Sequence, residues 1–144
     1  MLKDLLPEGF GPADLQQTEA IFTSTPLALR LPTAFGGPVV AAALNAAVRS
    51  YAPYSKSPSG CAIQTKAGTV VRGSYLENAA FNRSLAPLQS SLVAFVMRQE
   101  AFANIARVVL VESSRRTISH AAETRMVLAI LAPRASFEVV TATA

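Results

Sequence analysis

The sequence of 144 residues has no tryptophan, one cysteine and one histidine, and charged residues make up only 15% of it. With Cys61 alone, no intramolecular disulfide can form, and such a composition suits a reducing compartment. Hydrophobic residues reach 51% and the mean hydropathy is +0.33, the opposite of the composition of disordered chains. The length matches one domain, so we expect a single folded body.

Long uninterrupted apolar runs are also missing. The longest uncharged run, residues 31–48, is broken by prolines, glycines and an asparagine, and we do not expect it to span a membrane. The first nine residues place acids and a proline where a signal peptide needs an apolar stretch. The sequence therefore predicts a cytoplasmic protein without a membrane partner.

The usual catalytic motifs are absent. The chain has no phosphate-binding G-x-x-x-x-G-K-[ST], no G-x-G-x-x-G after a strand and no G-x-S-x-G turn. A serine-hydrolase triad would need His120 together with Asp4 or Asp14, which lie in an irregular tail. A catalytic zinc needs three protein ligands, whereas the chain supplies one cysteine and one histidine. We expect no catalytic residue and no metal site, with Cys61 buried in a strand and His120 partly exposed in the first turn of a helix.

Charge divides unevenly along the chain. Residues 1–20 hold one lysine and four acidic residues, a net charge of −3, which leaves +7 on residues 21–144 from the total of +4. A basic body is a candidate for nucleic-acid binding, but its arginines stand singly except for Arg115 and Arg116. This spacing favours solvated surface charge, so a nucleic-acid partner is not expected.

Hydrophobic periodicity predicts three helices and four strands. Pro38 suits the first position of a helix over residues 39–51, and Pro87 lies early in a second helix over residues 84–102. The nearly continuous β-branched run at residues 105–111 is typical of a strand covered on both faces, in the middle of a sheet. A hairpin over residues 61–65 and 69–75, a helix over 118–131 capped by Thr117 or Ser119, and a strand over 137–141 complete the order. This order predicts an α/β domain with three layers and a mixed sheet.

The first part of the chain has no sustained period and is rich in proline. We interpret residues 1–20 as a tail and residues 21–37 as a Pro-rich linker, with the domain proper over residues 38–144. The Ala-rich stretch at residues 39–48, together with Phe95, Phe102 and Phe137, is a large apolar surface for so small a body to cover. It predicts self-association.

Two motifs carry a resemblance to a known family. The stretch P-Y-S-K-S-P-S-G-C-A at residues 53–62, followed by a hairpin and then G-S-Y-L-E-N-A-A-F at residues 73–81, resembles the pyrimidine-binding half of a cytidine deaminase. Active members read roughly P-Y-S-x-F-x-V-G-A, then G-x-N-x-E-N-A-x-Y, then C-A-E or H-A-E, then P-C-x-x-C. The resemblance implies a cytidine deaminase-like α/β/α sandwich and a chemistry in which zinc-activated hydroxide attacks C4 of cytosine.

The chain departs from this pattern at the positions that perform chemistry. Ser57 stands at the ring-stacking phenylalanine and Tyr75 at the sugar-binding asparagine, while Glu77 and Asn78 are retained and are interpreted as a vestigial nucleoside-binding pair. The zinc-ligand and catalytic-glutamate positions fall within A-P-L-Q at residues 86–89. Residues 112–120 stand where P-C-x-x-C should open the next helix. The resemblance thus implies that this chain has no cofactor of its own.

The two-domain bacterial cytidine deaminases resemble the chain most, through their degenerate C-terminal domain. The tail L-L-P-E-G-F-G-P-A-D-L at residues 5–15 is similar to the L-L-P-x-x-F-x-x-x-D-L ending of a catalytic domain. The resemblance implies a parent enzyme that holds zinc in its catalytic domain and converts cytidine and deoxycytidine to the uridines. This chain would support a homodimer, contact that catalytic domain, and meet the nucleoside only by completing a neighbouring active site through Phe10, Ala79 and Phe81.

Two other classes of function stay open. The first is a stand-alone interaction module built on the deaminase fold, and the second is a nucleic-acid binder that uses the +7 body. The absence of a catalytic domain encoded just upstream in the same reading frame would favour the first, and retention on DNA or RNA with a steep salt dependence would favour the second.

Overall fold

The computed structural model describes residues 5, 9, 12–17, 21, 25–80 and 83–143. Its helices are α1 (Pro38–Val48), α2 (Pro87–Val96) and α3 (Ala121–Leu131). Its strands are β1 (Ser59–Thr65), β2 (Val70–Ser74), β3 (Ile105–Ser113) and β4 (Ser136–Ala142), and short 3-10 turns cover Pro12–Leu15 and Phe102–Asn104.

The four strands form one mixed sheet in the order β2-β1-β3-β4. Strand β1 runs antiparallel to both β2 and β3, while β3 and β4 are parallel. The predicted central position of the β-branched strand is confirmed, since β3 lies between β1 and β4 and Val108, Val109, Leu110 and Val111 are fully buried.

Helix α1 packs on one face of the sheet. Its buried positions Val39, Val40, Ala43 and Ala47 contact Ala62 of β1, together with alternate residues of β3 and β4. Gly60 permits this close approach, because a Cβ at that position would overlap with the backbone nitrogen of Ala47. Small residues on both sides thus set the distance between helix and sheet.

Helices α2 and α3 cover the opposite face. Leu88 and Phe95 of α2 and Leu128 of α3 join Ile63 of β1 and Leu110 of β3 in a second apolar cluster. Gly73 has the same role here as Gly60 on the other face, since a Cβ there would overlap with the backbone nitrogen of Ser91. Helices on both faces of a mixed sheet confirm the predicted α/β fold with three layers.

The helix ends differ from the predicted ones. Helix α1 ends at Val48 and not at residue 51, and Tyr51 instead forms a β-bridge with Leu76. Helix α2 ends at Val96 and not at residue 102, and the chain turns through Gln99, whose φ is 58°. Helix α3 begins three residues later than predicted, because its N-cap is His120 and neither Thr117 nor Ser119.

Part of the predicted linker packs against the body. The amide of Leu27 donates to the carbonyl of Val48 at 2.9 Å, and Arg30 pairs with Thr143 through two backbone hydrogen bonds of 2.7 and 2.9 Å. Leu29 is buried in the cluster under α1. The division at residue 37 stays a prediction, and residues 25–31 contribute to the same core as α1.

Within the described ranges, no helix is long and apolar enough to cross a membrane.

Candidate functional site

Polar buried side chains gather at one end of the sheet. The start of β1, the end of β2 and the end of β3 meet there because β1 runs antiparallel to both neighbours. Helices α2 and α3 also begin at this end, and the residues that correspond to the family's chemistry lie around it. We call the buried group formed by Ser57, Tyr75, Glu77, Glu112 and His120 the end cluster.

Glu77 holds a loop rather than an open binding surface. Its carboxylate accepts hydrogen bonds from the amides of Tyr54 at 2.8 Å and Ser55 at 3.1 Å, and from the Tyr75 hydroxyl at 3.3 Å. The residue is only 7% exposed. Both carboxylate oxygens are therefore engaged inside the protein, which suits the predicted loss of nucleoside binding at this position.

Two more of the predicted site residues, Asn78 and Ala79, do not join this cluster. Asn78 is exposed and accepts a hydrogen bond from the amide of Ala80 at 2.9 Å, which makes it a local turn residue. Ala79 is exposed beside it. Phe10 and Phe81 lie outside the described residues, so their predicted part in a neighbouring active site stays a prediction.

Tyr75 fills the space at the end of β2. The residue is fully buried, and its ring lies 4.5 Å from the His120 ring, measured between centroids, at an interplanar angle of 55°. Burial raises the pKa of the Tyr75 hydroxyl, and the negative charge of Glu77 acts in the same direction, while a hydrogen bond with Ser84 opposes it. The position that corresponds to a sugar-binding asparagine thus holds a neutral, buried ring.

Ser57 organises the loop before α3. Its Oγ accepts hydrogen bonds from the amides of Thr117 at 2.8 Å and Ile118 at 3.1 Å, and donates to the carbonyl of Ser55 at 3.0 Å. The side chain is 1% exposed. A small hydroxyl in place of an aromatic ring lets the loop at residues 113–118 close down on this end of the sheet.

Glu112 is a site residue that sequence reasoning missed. It lies near the end of β3 with 1% exposure and accepts hydrogen bonds from the His120 amide at 2.7 Å and the Ser119 hydroxyl at 2.9 Å. The Nε of Arg116 lies 3.1 Å from its Oε2. The sequence signal that could have found it is an acidic residue directly after a continuous apolar run. An acid at the end of a buried strand is itself buried, and a buried charge requires partners close by.

His120 is buried, and the predicted partial exposure is wrong. It is 6% exposed, its Nδ1 lies 3.8 Å from Glu123, and its Nε2 has no hydrogen-bond partner in the described part of the chain. Burial lowers the pKa of His120, although the negative charges of Glu123, Glu112 and Glu77 act to raise it. The imidazole is therefore held in its neutral form at neutral pH.

The residues present do not fit a zinc ion. At the start of α2, Ala86 and Pro87 offer no metal ligand, and the Oε1 of Gln89 accepts a hydrogen bond from the Ala86 amide at 3.1 Å. Cys61 lies inside β1, where burial raises the pKa of its thiol to about 12. Among the described residues, no three His, Cys, Asp or Glu side chains gather closely enough to hold a metal.

A cavity of about 590 Å³ lies beside the end cluster, lined by residues from 16–17 and 25–29 and by the loop before β1. Lys56 and Arg115 line it, and Glu77, Asn78 and Ala79 do not. The cavity thus includes Pro53, Lys56 and Pro58 of the stretch at residues 53–62, but neither Ser57 nor the retained Glu77 and Asn78.

Comparison with known sequences identifies relatives along most of the chain. A family model described as the cytidine and deoxycytidylate deaminase zinc-binding region matches residues 2–125. A cytidine deaminase of Cronobacter sakazakii is 47% identical over 117 residues, which cover 81% of this chain and 39% of that protein. A cytidine deaminase of Aliivibrio fischeri is 42% identical over 137 residues, which cover 95% of this chain and 46% of that protein. The chain therefore spans less than half the length of these curated relatives.

Solved structures show the same fold. A cytidine deaminase from Burkholderia pseudomallei superposes with a TM-score of 0.61 at 25% identity, covering 72% of this chain and 82% of that chain. A cytidine deaminase from Mycobacterium leprae gives a TM-score of 0.58 at 25% identity, covering 69% and 82%. Both agree with the three-layer architecture described above.

Proposed function

The chain belongs to the cytidine and deoxycytidylate deaminase family, and from this premise we propose that it is a non-catalytic domain of a cytidine deaminase. One observation carries the proposal. The end cluster contains Ser57, Tyr75 and Glu77, which the resemblance assigns to substrate-binding positions, and its carboxylates, Glu77 and Glu112, accept hydrogen bonds from the protein's own amides and hydroxyls. Of the buried side-chain atoms there, only the Nε2 of His120 has no hydrogen-bond partner in the described part of the chain, and one imidazole falls short of the three protein ligands that a catalytic zinc needs.

The parent enzyme, on this proposal, hydrolyses cytidine and deoxycytidine in the cytoplasm. Water adds at C4 of the cytosine ring, the C4–N bond breaks, and ammonia leaves. The zinc that activates this water belongs to the catalytic domain of the parent. The domain described above supplies no ligand to it.

Two roles remain for such a domain, namely assembly of a homodimer and completion of a neighbouring active site. Exposed apolar side chains on α2 and α3 support assembly, namely Val93, Val96, Met97, Met126 and Ile130. Many of the apolar residues from which the sequence predicted self-association are buried in the protein's own core, namely Phe95 and, in α1, Val39, Val40, Ala43, Ala46 and Ala47. Support for assembly therefore comes from the outer surfaces of α2 and α3 instead.

Completion of a neighbouring site would depend on Phe10, Ala79 and Phe81. Ala79 is exposed in the turn after β2, where a neighbouring chain can reach its backbone. An aromatic wall and a backbone carbonyl can close a pocket and exclude water without an ionisable group. The loss of the local metal ligands is therefore compatible with a part in catalysis next door.

The first test measures metal and turnover on the 144-residue chain. We expect no stoichiometric zinc by elemental analysis of protein prepared without chelator, and no release of ammonia from cytidine. One zinc per chain, with turnover that a chelator abolishes, would contradict the proposal.

Light scattering on the same sample is expected to show a dimer or a larger assembly, and a strict monomer over a broad concentration range would remove the assembly role.

The second test uses the full-length parent. Phe10→Ala and Phe81→Ala are each expected to lower kcat/KM by about tenfold, because a wall of the pocket is lost. Phe35→Ala is the matched control, since Phe35 is 38% exposed in the turn before α1. If Phe10→Ala leaves kcat/KM at the parent value while the assembly is intact, Phe10 has no part in the active site.

A further inference from the structure

One edge of the sheet has no partner in the described part of the chain. Strand β2 lies at the end of the strand order, with β1 on its inner side. The amide of Tyr75 donates to the Ser59 carbonyl and the amide of Thr65 to the Thr69 carbonyl, so the odd-numbered residues of this strand face β1. In an antiparallel pair the residues between them direct N–H and C=O to the other side. The backbone groups of Val70 and Arg72 therefore face outward.

A groove of about 460 Å³ runs along this edge. Pro38 and Ala42 of α1 line one side of it, and Ala94 and Arg98 line the other side at the end of α2. Each helix thus presents an alanine where a larger side chain would cover the strand. Proteins commonly cover or blunt a sheet edge, because a row of free backbone groups is a template for another strand.

The groove is positively charged. Arg72 and Arg98 are both exposed and form no ion pair with the described residues, and no acidic residue lines the groove. Val70 packs against the cluster under α1, and Arg72, two residues further along β2, lies on the same face of the strand. Arg98 lies just beyond the end of α2, which covers the opposite face. A cation therefore stands on each side of the open strand.

We propose that this edge groove binds an extended acidic peptide segment of another protein, which adds to the sheet as a fifth strand beside β2. The backbone groups of Val70 and Arg72 provide the hydrogen bonds, and the arginines select for carboxylates. Successive side chains of a strand point to opposite faces, so two adjacent acidic residues would place one carboxylate near Arg72 and the other near Arg98.

A second copy of this chain fits the groove less well. Two β2 strands paired through this edge would bring Arg72 of one copy close to Arg72 of the other, and like charges across a strand pair are destabilising. Strand β2 itself carries no acidic residue that could meet either arginine. The charge of the groove thus favours an acidic partner over self-pairing.

Fluorescence anisotropy with synthetic peptides tests the proposal on the 144-residue chain. The probe is a labelled peptide of about seven residues, the usual length of a strand, with capped ends and two adjacent glutamates between valines and threonines. We expect the same peptide with lysines to bind at least about tenfold more weakly, since the charge contacts become repulsive. A probe methylated at alternate backbone nitrogens, the ones that face the groove, should also bind about tenfold more weakly because strand pairing is blocked.

Protein variants locate the site. Arg72→Glu and Arg98→Glu should each weaken binding of the acidic peptide by about tenfold or more. Arg134→Glu makes the same charge change in the exposed turn before β4 and should leave the affinity within about twofold. The proposal is overturned if the glutamate and lysine peptides bind equally well, or if the methylated peptide binds as tightly as the unmethylated one. It is also overturned if Arg134→Glu weakens binding as much as Arg72→Glu or Arg98→Glu does. Light scattering that shows a dimer dissociated by Arg72→Glu would overturn it as well, and none of these outcomes depends on the proposed function.

Discussion

Strand β3 passes through two buried regions that are stabilised in different ways. Val108 to Val111 lie in the apolar interior with no exposed surface, and Glu112, the next residue, lies in the end cluster with 1% exposure. The interior depends on close contact between helix and sheet, whereas the end cluster depends on directional hydrogen bonds to a charged group. The two regions are equally buried, but we expect their stability to respond to different changes. Added volume should destabilise the interior most, and altered charge should destabilise the end cluster most.

The interior should respond most strongly to added volume. Gly60→Ala places a methyl group against the backbone of Ala43 and Ala47, and backbone atoms cannot move aside as a side chain can. We expect the free energy of unfolding to fall by about 3 kcal/mol or more, at or above the upper end for an overpacked core. Urea denaturation measures this effect. Gly36→Ala is the control, because nothing lies within 4 Å of a Cβ at that position, and an equal loss there would contradict the packing argument.

The end cluster should respond to a change of charge at constant size. Glu112→Gln keeps the shape of the side chain but removes the charge that the His120 amide and the Ser119 hydroxyl stabilise. We expect a loss of about 2–3 kcal/mol in the free energy of unfolding.

Glu138→Gln provides the matched control for that variant. Glu138 also pairs with an arginine, Arg107, at 2.6 Å, but its side chain is 35% exposed. Exposed ion pairs contribute little, so the control should change stability by less than about 1 kcal/mol. If the two variants lose the same stability in urea, burial does not set the strength of these pairs.

Most of the fold was predictable because the interior follows periodic patterns. The strand at residues 105–111 and the two proline-started helices were confirmed within a few residues at the start of each element. The start of α3 was wrong for a physical reason. Ser57 and Glu112 bind the amides of Thr117, Ile118 and His120, and they hold the chain outside the helix until Ala121. The contacts of Ser57 join residues about 60 positions apart and that of Glu112 joins residues eight apart, and hydrogen bonds of this kind leave no mark on local hydrophobic periodicity.

The end cluster was only partly predictable. The resemblance singled out Ser57, Tyr75 and Glu77, but it did not show that Glu77 binds the loop at residues 54–55. Glu112 was missed because the resemblance marked residues 112–120 only as lacking P-C-x-x-C and gave no role to the residues that stand there. His120 was expected to be partly exposed because it lies near the start of a helix. The Tyr75 ring, which comes from the residue after β2, lies against it, and the sequence around His120 does not reveal that contact.

Acid should weaken the end cluster before it affects the interior. The pKa of His120 is lowered from its ordinary value of 6.5 by burial, so the unfolded chain binds a proton more readily than the folded one. Stability is therefore full above about pH 6.5 and falls as the pH drops below it. Glu112, Glu77 and Glu123 face the ring and limit this effect by raising the pKa.

The measurement is the Tm at several pH values between about 8 and 5.5, a window that contains the ordinary histidine pKa. The chain should lose Tm toward acid, and His120→Gln should show a flatter profile because the titrating group is gone. A Tm that rises as the pH falls would mean that the carboxylates outweigh burial. Identical profiles of the two proteins would mean that His120 does not report on the cluster.

The smallest effect is expected where a polar contact in the end cluster is long and uncharged on one side. Tyr75→Phe removes a hydroxyl that lies 3.3 Å from Glu77, while Glu77 keeps the amides of Tyr54 and Ser55 and the ring keeps its contact with His120. We expect a loss of about 0.5–1 kcal/mol in urea denaturation, well below that of Glu112→Gln. Tyr54→Phe, at a ring that is 38% exposed, should have no measurable effect. If Tyr75→Phe instead costs as much as Glu112→Gln, the cluster is stabilised by its hydroxyl contacts as much as by its buried charge, and the ranking of the two kinds of bond within it is wrong.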